Sequence, residues 1–295
     1  QRLLNVSERA GDKNIMQTIR YELIPAQGTE GQVAVITFDE TNSPVNTMCR
    51  QWQQELGEVT AQVLGDRERL GTALKGIVLA SAKTSFFAGA DLKATMRLTP
   101  ADAPAVFGEI ERMKKHFRTL ETLGIPVVAC LNGAALGGGW EVALVAHYRI
   151  AVADPKIQFG LPEVTLGLMP GATGVTKMTR LLGLMGAQPY ILEGKLFNPA
   201  EALELQLVHE LVATRDQLLP TALAHIATHP HAVQPWDDKN YKMPGGTPAN
   251  PKIAGALTVA PAMPGNRVRS ALMRITGKCL RKSARTLWRS VPGGR

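Results

Sequence analysis

The stretch Ile125-Pro-Val-Val-Ala-Cys-Leu-Asn-Gly-Ala-Ala-Leu-Gly-Gly-Gly-Trp-Glu-Val-Ala-Leu-Val-Ala146 decides how this chain is built. Residues 125–131 are an uninterrupted apolar run, suited to a strand covered on both faces. Pro126 sits near its start, where a missing N–H is tolerated. Three glycines follow at 137–139, and the spacing then predicts a helix over 140–146. Consecutive glycines expose peptide N–H groups, and the start of the next helix adds partial positive charge, so the turn suits an oxyanion or a phosphate. No Gly-Lys-Ser/Thr follows, which excludes a P-loop, and no GxGxxG occurs anywhere, which excludes the dinucleotide fingerprint. Peptide donors alone match an acyl thioester, whose carbonyl oxygen gains negative charge on enolate formation.

Reading outward, strands are expected over 18–23 and 32–38 as a hairpin, over 76–80 and over 148–153, with helices over 47–70 and 104–123. Strands alternating with helices imply an α/β architecture of layered sheets. Two further stretches carry chemistry. Ser85-Phe-Phe-Ala-Gly-Ala-Asp91 follows the strand at 76–80 and permits a ligand to approach the backbone at Gly89, although a tight small-residue turn is the plain alternative. Phe159-Gly-Leu-Pro-Glu163, continuing to Gly174, sets a carboxylate among glycine, proline and apolar residues. Glu141, between Trp140 and Val142, is similar. Two carboxylates in apolar settings can divide acid and base work, burial raising the pKa of one. Each, taken singly, also reads as a glutamate bonded to local backbone.

Composition narrows the classes. The net charge of +8 comes from the end of the chain, where residues 265–295 hold nine basic and no acidic side chains; the rest carries 24 basic against 25 acidic residues. A pI of about 9.5 therefore says little about the ligand, and nucleic-acid binding is not expected. No apolar run is long enough for membrane insertion, and residues 1–13 are too charged for a signal peptide. Cys49, Cys130 and Cys279 have no disulfide or zinc spacing, which suits a reducing cytoplasm. His225, His229 and His231 have near-helical spacing, but Pro230 interrupts them and no metal site is expected.

In order, spacing and flanking residues, the three stretches resemble the crotonase (enoyl-CoA hydratase/isomerase) superfamily over residues 16–229. The resemblance implies the crotonase-type superhelix of ββα units, layered sheets surrounded by helices. It implies an oxyanion hole from the N–H groups of Ala90 and Gly138, catalytic carboxylates at Glu141 and Glu163, and substrate contacts at Ala88, Gly89, Asp91, Gly137 and Gly171. Lys93 is a candidate for the phosphates of coenzyme A. The two glutamates are 22 residues apart, a spacing similar to the hydratase part of multifunctional fatty-acid oxidation proteins. Thr173 and residues 175–177 depart from the usual GGTQR. The implied activity is hydration of trans-2-enoyl-CoA in β-oxidation, with Δ3-Δ2-enoyl-CoA isomerisation or an inactive fragment of a hydratase/3-hydroxyacyl-CoA dehydrogenase as alternatives. No cofactor is implied, coenzyme A being part of the substrate and no NAD site being present; a homo-oligomer is. Residues 1–15 read as an N-terminal extension and 230–295 as a Pro/Gly-rich linker with a basic tail, as in a truncated or frame-shifted reading frame.

Overall fold

The computed structural model describes residues 16–259; the extension at 1–15 and the basic stretch at 265–295 lie outside them. Strands β1 (Ile19–Pro25) and β2 (Gln32–Phe38) form the expected antiparallel hairpin. Helix α1 (Arg50–Leu70) crosses to β3 (Leu74–Ser81), which lies parallel to β2. A short helix α2 (Leu92–Thr95) and the long α3 (Ala103–Glu121) lead to β4 (Val127–Leu131). Two-residue strand β5 (Ala135–Leu136) precedes α4 (Gly138–Ala143), β6 (Tyr148–Val152) and the equally short β7 (Phe159–Gly160). Helices α5 (Gly174–Leu192, kinked at Gly183) and α6 (Pro199–Glu204), strand β8 (Glu210–Val212), and helices α7 (Leu218–Thr228) and α8 (Pro251–Val259) complete the described chain.

The main sheet has the order β1-β2-β3-β4-β6-β8, parallel after the first hairpin. Its central strands are apolar on both faces because both are covered. On one face Ile36, Ile77, Leu79 and Leu131 meet Trp52, Leu56 and Val59 of α1 and Phe117 and Leu120 of α3. On the other, Val35, Val78, Val128 and Ile150 meet Leu218, Ala222 and Ile226 of α7. This is the expected layered α/β architecture.

Beyond His229 the stretch read as a Pro/Gly-rich linker holds a helix of its own. Pro251 opens α8 rather than preventing a helix, since the first helical position has no N–H bond to lose, and Asn250 Oδ1 accepts from Lys252 N at 3.0 Å. Before it, buried Gln234 donates Nε2 to Val145 O at 2.9 Å, and Asp237 takes two bonds from Arg118, so this segment is fastened to the body. Helix α4 also starts two residues earlier than expected, inside the glycine run, and stops at Ala143.

Candidate active site

A second, two-stranded sheet assembles the site. Parallel pairing of β5 with β7 brings the turn after β5 beside the turn after β7, and Gly137 N donates to Gly160 O at 2.8 Å. A bridge between Phe87 and Ala135 adds the loop after β3, with Leu136 N donating to Phe87 O at 3.1 Å. The three stretches picked out in the sequence therefore meet at one place.

The loop after β3 is held from behind by residues 46–48, of which 47 and 48 were expected in a helix that begins only at Arg50. Asn46, buried, donates Nδ2 to Phe38 O, Ser81 Oγ and Phe86 O, and its carbonyl accepts from Ala88 N at 2.9 Å. Met48 N donates to Gly89 O at 2.8 Å. An asparagine closing the turn Asn42-Ser-Pro-Val-Asn46 was the available signal. These bonds occupy the N–H groups of Ala88 and Gly137. The N–H groups of Ala90 and Gly138 have no acceptor among the described residues. Gly89 (φ +100°) packs so closely that an added Cβ would stand 2.7 Å from Leu136 O and 3.4 Å from Gly138 N. The backbone of 89–90 thus lies against the start of α4.

Asp91 uses its carboxylate to cap α2, accepting from Ala94 N at 3.0 Å. Lys93 is exposed on α2, and Gly171 is exposed on the loop leading to α5. His225 stacks between Tyr148 and His229 at 3.7 and 4.1 Å, as a ring pile and not a ligand set. Among the described residues no group of three or more His, Cys, Asp or Glu side chains is placed to hold a metal ion.

Glu141 lies on α4 and is buried. Trp140 locks this helix, stacking on Phe159 at 5.3 Å and meeting Phe197 edge-on at 5.2 Å. Oε1 of Glu141 accepts three bonds, from Ala172 N (3.0 Å), Thr173 N (2.8 Å) and Gly174 N (2.7 Å). The carboxylate thus substitutes for a missing side-chain cap at the N-terminus of α5. Burial raises its pKa, while the three N–H groups and the Lys177 ammonium pull the other way. Backbone bonding, the plain alternative for a single glutamate, thus describes one oxygen of Glu141.

Glu163 stands in the 3-10 turn Pro162–Leu166, directly after β7. Its pKa is pushed up to about 7, mainly by burial and further by the negative charge of Glu141. Its Oε2 is buried with no hydrogen-bond partner among the described residues. The carboxylate lies over Gly137, where an added Cβ would come within 2.7 Å of Oε1, and where φ is +53°. Two carboxyl groups thus stand within electrostatic range of each other, one anchored and one with an unpartnered oxygen, next to two open peptide donors.

A parallel-rich sheet with this glycine turn, this pair of glutamates and a small accessory sheet between them is of the crotonase class. More narrowly, the chain belongs to the enoyl-CoA hydratase/isomerase family, whose model matches residues 28–233. Over 184 residues it is 40% identical to the fatty acid oxidation complex subunit alpha of Shewanella halifaxensis, covering 61% of this chain and 25% of that one. Over 196 residues it is 37% identical to the same subunit of Shewanella baltica, covering 65% and 26%. The matched region thus takes in about a quarter of the length of these relatives. Among solved structures, an enoyl-CoA hydratase from Bacillus anthracis superposes with a TM-score of 0.60 at 27% identity, over 72% of this chain and 78% of that one. An enoyl-CoA hydratase from Shewanella pealeana gives 0.59 at 25%, over 72% and 74%.

Proposed function

We propose that this site adds water across the double bond of a trans-2-enoyl-CoA, giving the 3-hydroxyacyl-CoA, as a step of fatty-acid β-oxidation. The observation that carries this reading is the pair Glu141 and Glu163 beside two unoccupied peptide donors. The thioester oxygen sits on Ala90 N–H and Gly138 N–H, which stabilise the charge that develops there. Water lies between the carboxyl groups. Anchored Glu141 orients it, and Glu163, whose pKa is near operating pH, takes its proton and returns one to C2. Apolar side chains exposed on the flanking segments, among them Leu92, Met96, Leu166 and Met169, fit contact with an acyl chain.

One observation favours a second reading. Of the two glutamates, Glu163 is the one with a buried oxygen that has no partner among the described residues, and a single base of that kind suffices to shuttle a proton along the chain in Δ3-Δ2-enoyl-CoA isomerisation. Loss of the conjugated-thioester absorbance of crotonyl-CoA, in the unaltered protein, Glu141→Gln and Glu163→Gln, tests the assignment. Hydration predicts turnover that either change reduces by about 100-fold or more. Isomerisation predicts no loss of crotonyl-CoA, turnover of a 3-enoyl-CoA, and dependence on Glu163 alone.

A further inference from the structure

Behind Glu141 runs a chain of charged side chains that the proposed reaction does not use. Buried Lys177 on α5 pairs with the Glu121 carboxylate at the end of α3, and donates to Leu144 O at 3.1 Å. Leu144 closes the helix that carries Glu141, and Gly174 opens the helix whose N–H groups hold Glu141 Oε1. One cation therefore ties together three elements that meet around this carboxylate. The other oxygen of Glu121 faces Arg118 at 3.2 Å, and Arg118 makes two bonds, 2.8 and 2.7 Å, to Asp237. A cavity of about 460 Å³ between α3 and α5 follows this line, with Glu121, Lys177 and Thr173 among its walls and Trp236 and Asp237 at its edge.

A buried ion pair adds little net stability compared with apolar residues of similar volume, so stability alone is a poor account of it. What the pair does provide is a cation fixed on the Leu144 carbonyl, at the end of the helix that carries Glu141, and within electrostatic range of that carboxylate. Resting on the reading of Glu141 as catalytic, we propose that Lys177 is a positioning residue for that carboxylate, and that Glu121, Arg118 and Asp237 link it to the segment 234–237. The state of the chain beyond His229 is thereby felt at the site.

The groups around Glu141 set the sign. Lys177 of α5 favours its ionised form; Glu163, in the turn after β7, is repelled by it. Glu121 and Arg118 of α3, and His147 and Arg149 flanking the start of β6, act on Lys177 and on one another. Removing the Lys177 charge leaves Glu121 paired with Arg118 alone, and both changes move ionisation of Glu141 to higher pH.

The test is the pH dependence of kcat and KM with crotonyl-CoA for the full chain, with Lys177→Met, Lys177→Arg, Asp237→Asn and Glu141→Gln. Lys177→Met should make kcat fall more steeply at acid pH, by up to about tenfold against the unaltered protein, with kcat at pH 8 and KM within about twofold. Lys177→Arg should restore the profile. Asp237→Asn, which removes a negative charge and leaves Arg118 to Glu121, should shift it the opposite way by less, and it decides the matter alone should Lys177→Met not fold. If either profile superimposes on that of the unaltered protein, the network is idle and the proposal is wrong. Full activity in Glu141→Gln would instead overturn the reading of Glu141 on which it rests.

Discussion

Glu163 holds its proton to about pH 7 where a carboxyl group ordinarily releases it at 4.5, and that difference is a stability term as well as a catalytic one. The folded protein binds this proton more tightly than the unfolded chain. The linked stability is therefore complete below about pH 4.5 and is lost as pH rises through 7. Glu163→Gln, which keeps the shape and removes the charge, should unfold together with the unaltered protein at pH 5 and later than it at pH 8. The gain there should be on the order of 1–2 kcal/mol after allowing for partial exposure, read as a higher midpoint in urea. Activity should be lost in the same variant. A neighbouring residue gives a companion test. Gly137→Ala would press a methyl group against the Glu163 carboxylate at a backbone angle that side chains rarely adopt, and should lower kcat by about tenfold or more.

Helix α5 begins without a cap of its own and borrows one from α4. Glu141→Ala would strip an acceptor from three buried N–H groups and should cost about 3 kcal/mol or more, whereas Glu141→Gln keeps an oxygen in place and should cost about half as much. Urea midpoints of the two variants, both inactive in hydration, separate the structural from the chemical part of this residue. At the element scale most of the architecture was legible. The runs at 32–38, 76–80 and 125–131 are strands because unbroken apolar residues with β-branching suit a sheet covered on both sides. The helix past the triple glycine was placed late because N–H groups at a helix start need no internal partner, so glycine is no obstacle there. Strands β5 and β7 were not legible, since two-residue pairings arise from what lies beside them and not from a period of their own.

For the molecule as a whole, α7 fills the face of the main sheet that does not carry the candidate site. Ile226, nearly fully buried, packs against Gly76 of β3. Ile226→Ala should cost about 2–4 kcal/mol while leaving kcat/KM for crotonyl-CoA unchanged, since the sheet stands between it and the site. Glu141 and Glu163 stood out in the sequence as carboxylates in apolar settings, and the glycine turn as a source of peptide donors, whereas the choice of Ala90 and Gly138 came from the family resemblance. Asn46, Lys177 and Glu121 did not stand out, because a polar residue that becomes buried through long-range contacts looks in the sequence like any solvated one. The packing of residues 234–237 was hidden for the same reason: prolines announce where a helix must stop, but not what the turn they open will lie against.

The unequal holds on the two glutamates bear on how such a protein would decay. Glu141 is fastened to a helix start that fails without it, while Glu163 strains the fold it serves. A lineage released from the need for chemistry would shed Glu163 early, because losing it is a relief, and would carry Glu141 onward as a keystone. A pseudoenzyme descended from this chain should therefore still present the glutamate after the triple glycine long after it has stopped turning anything over.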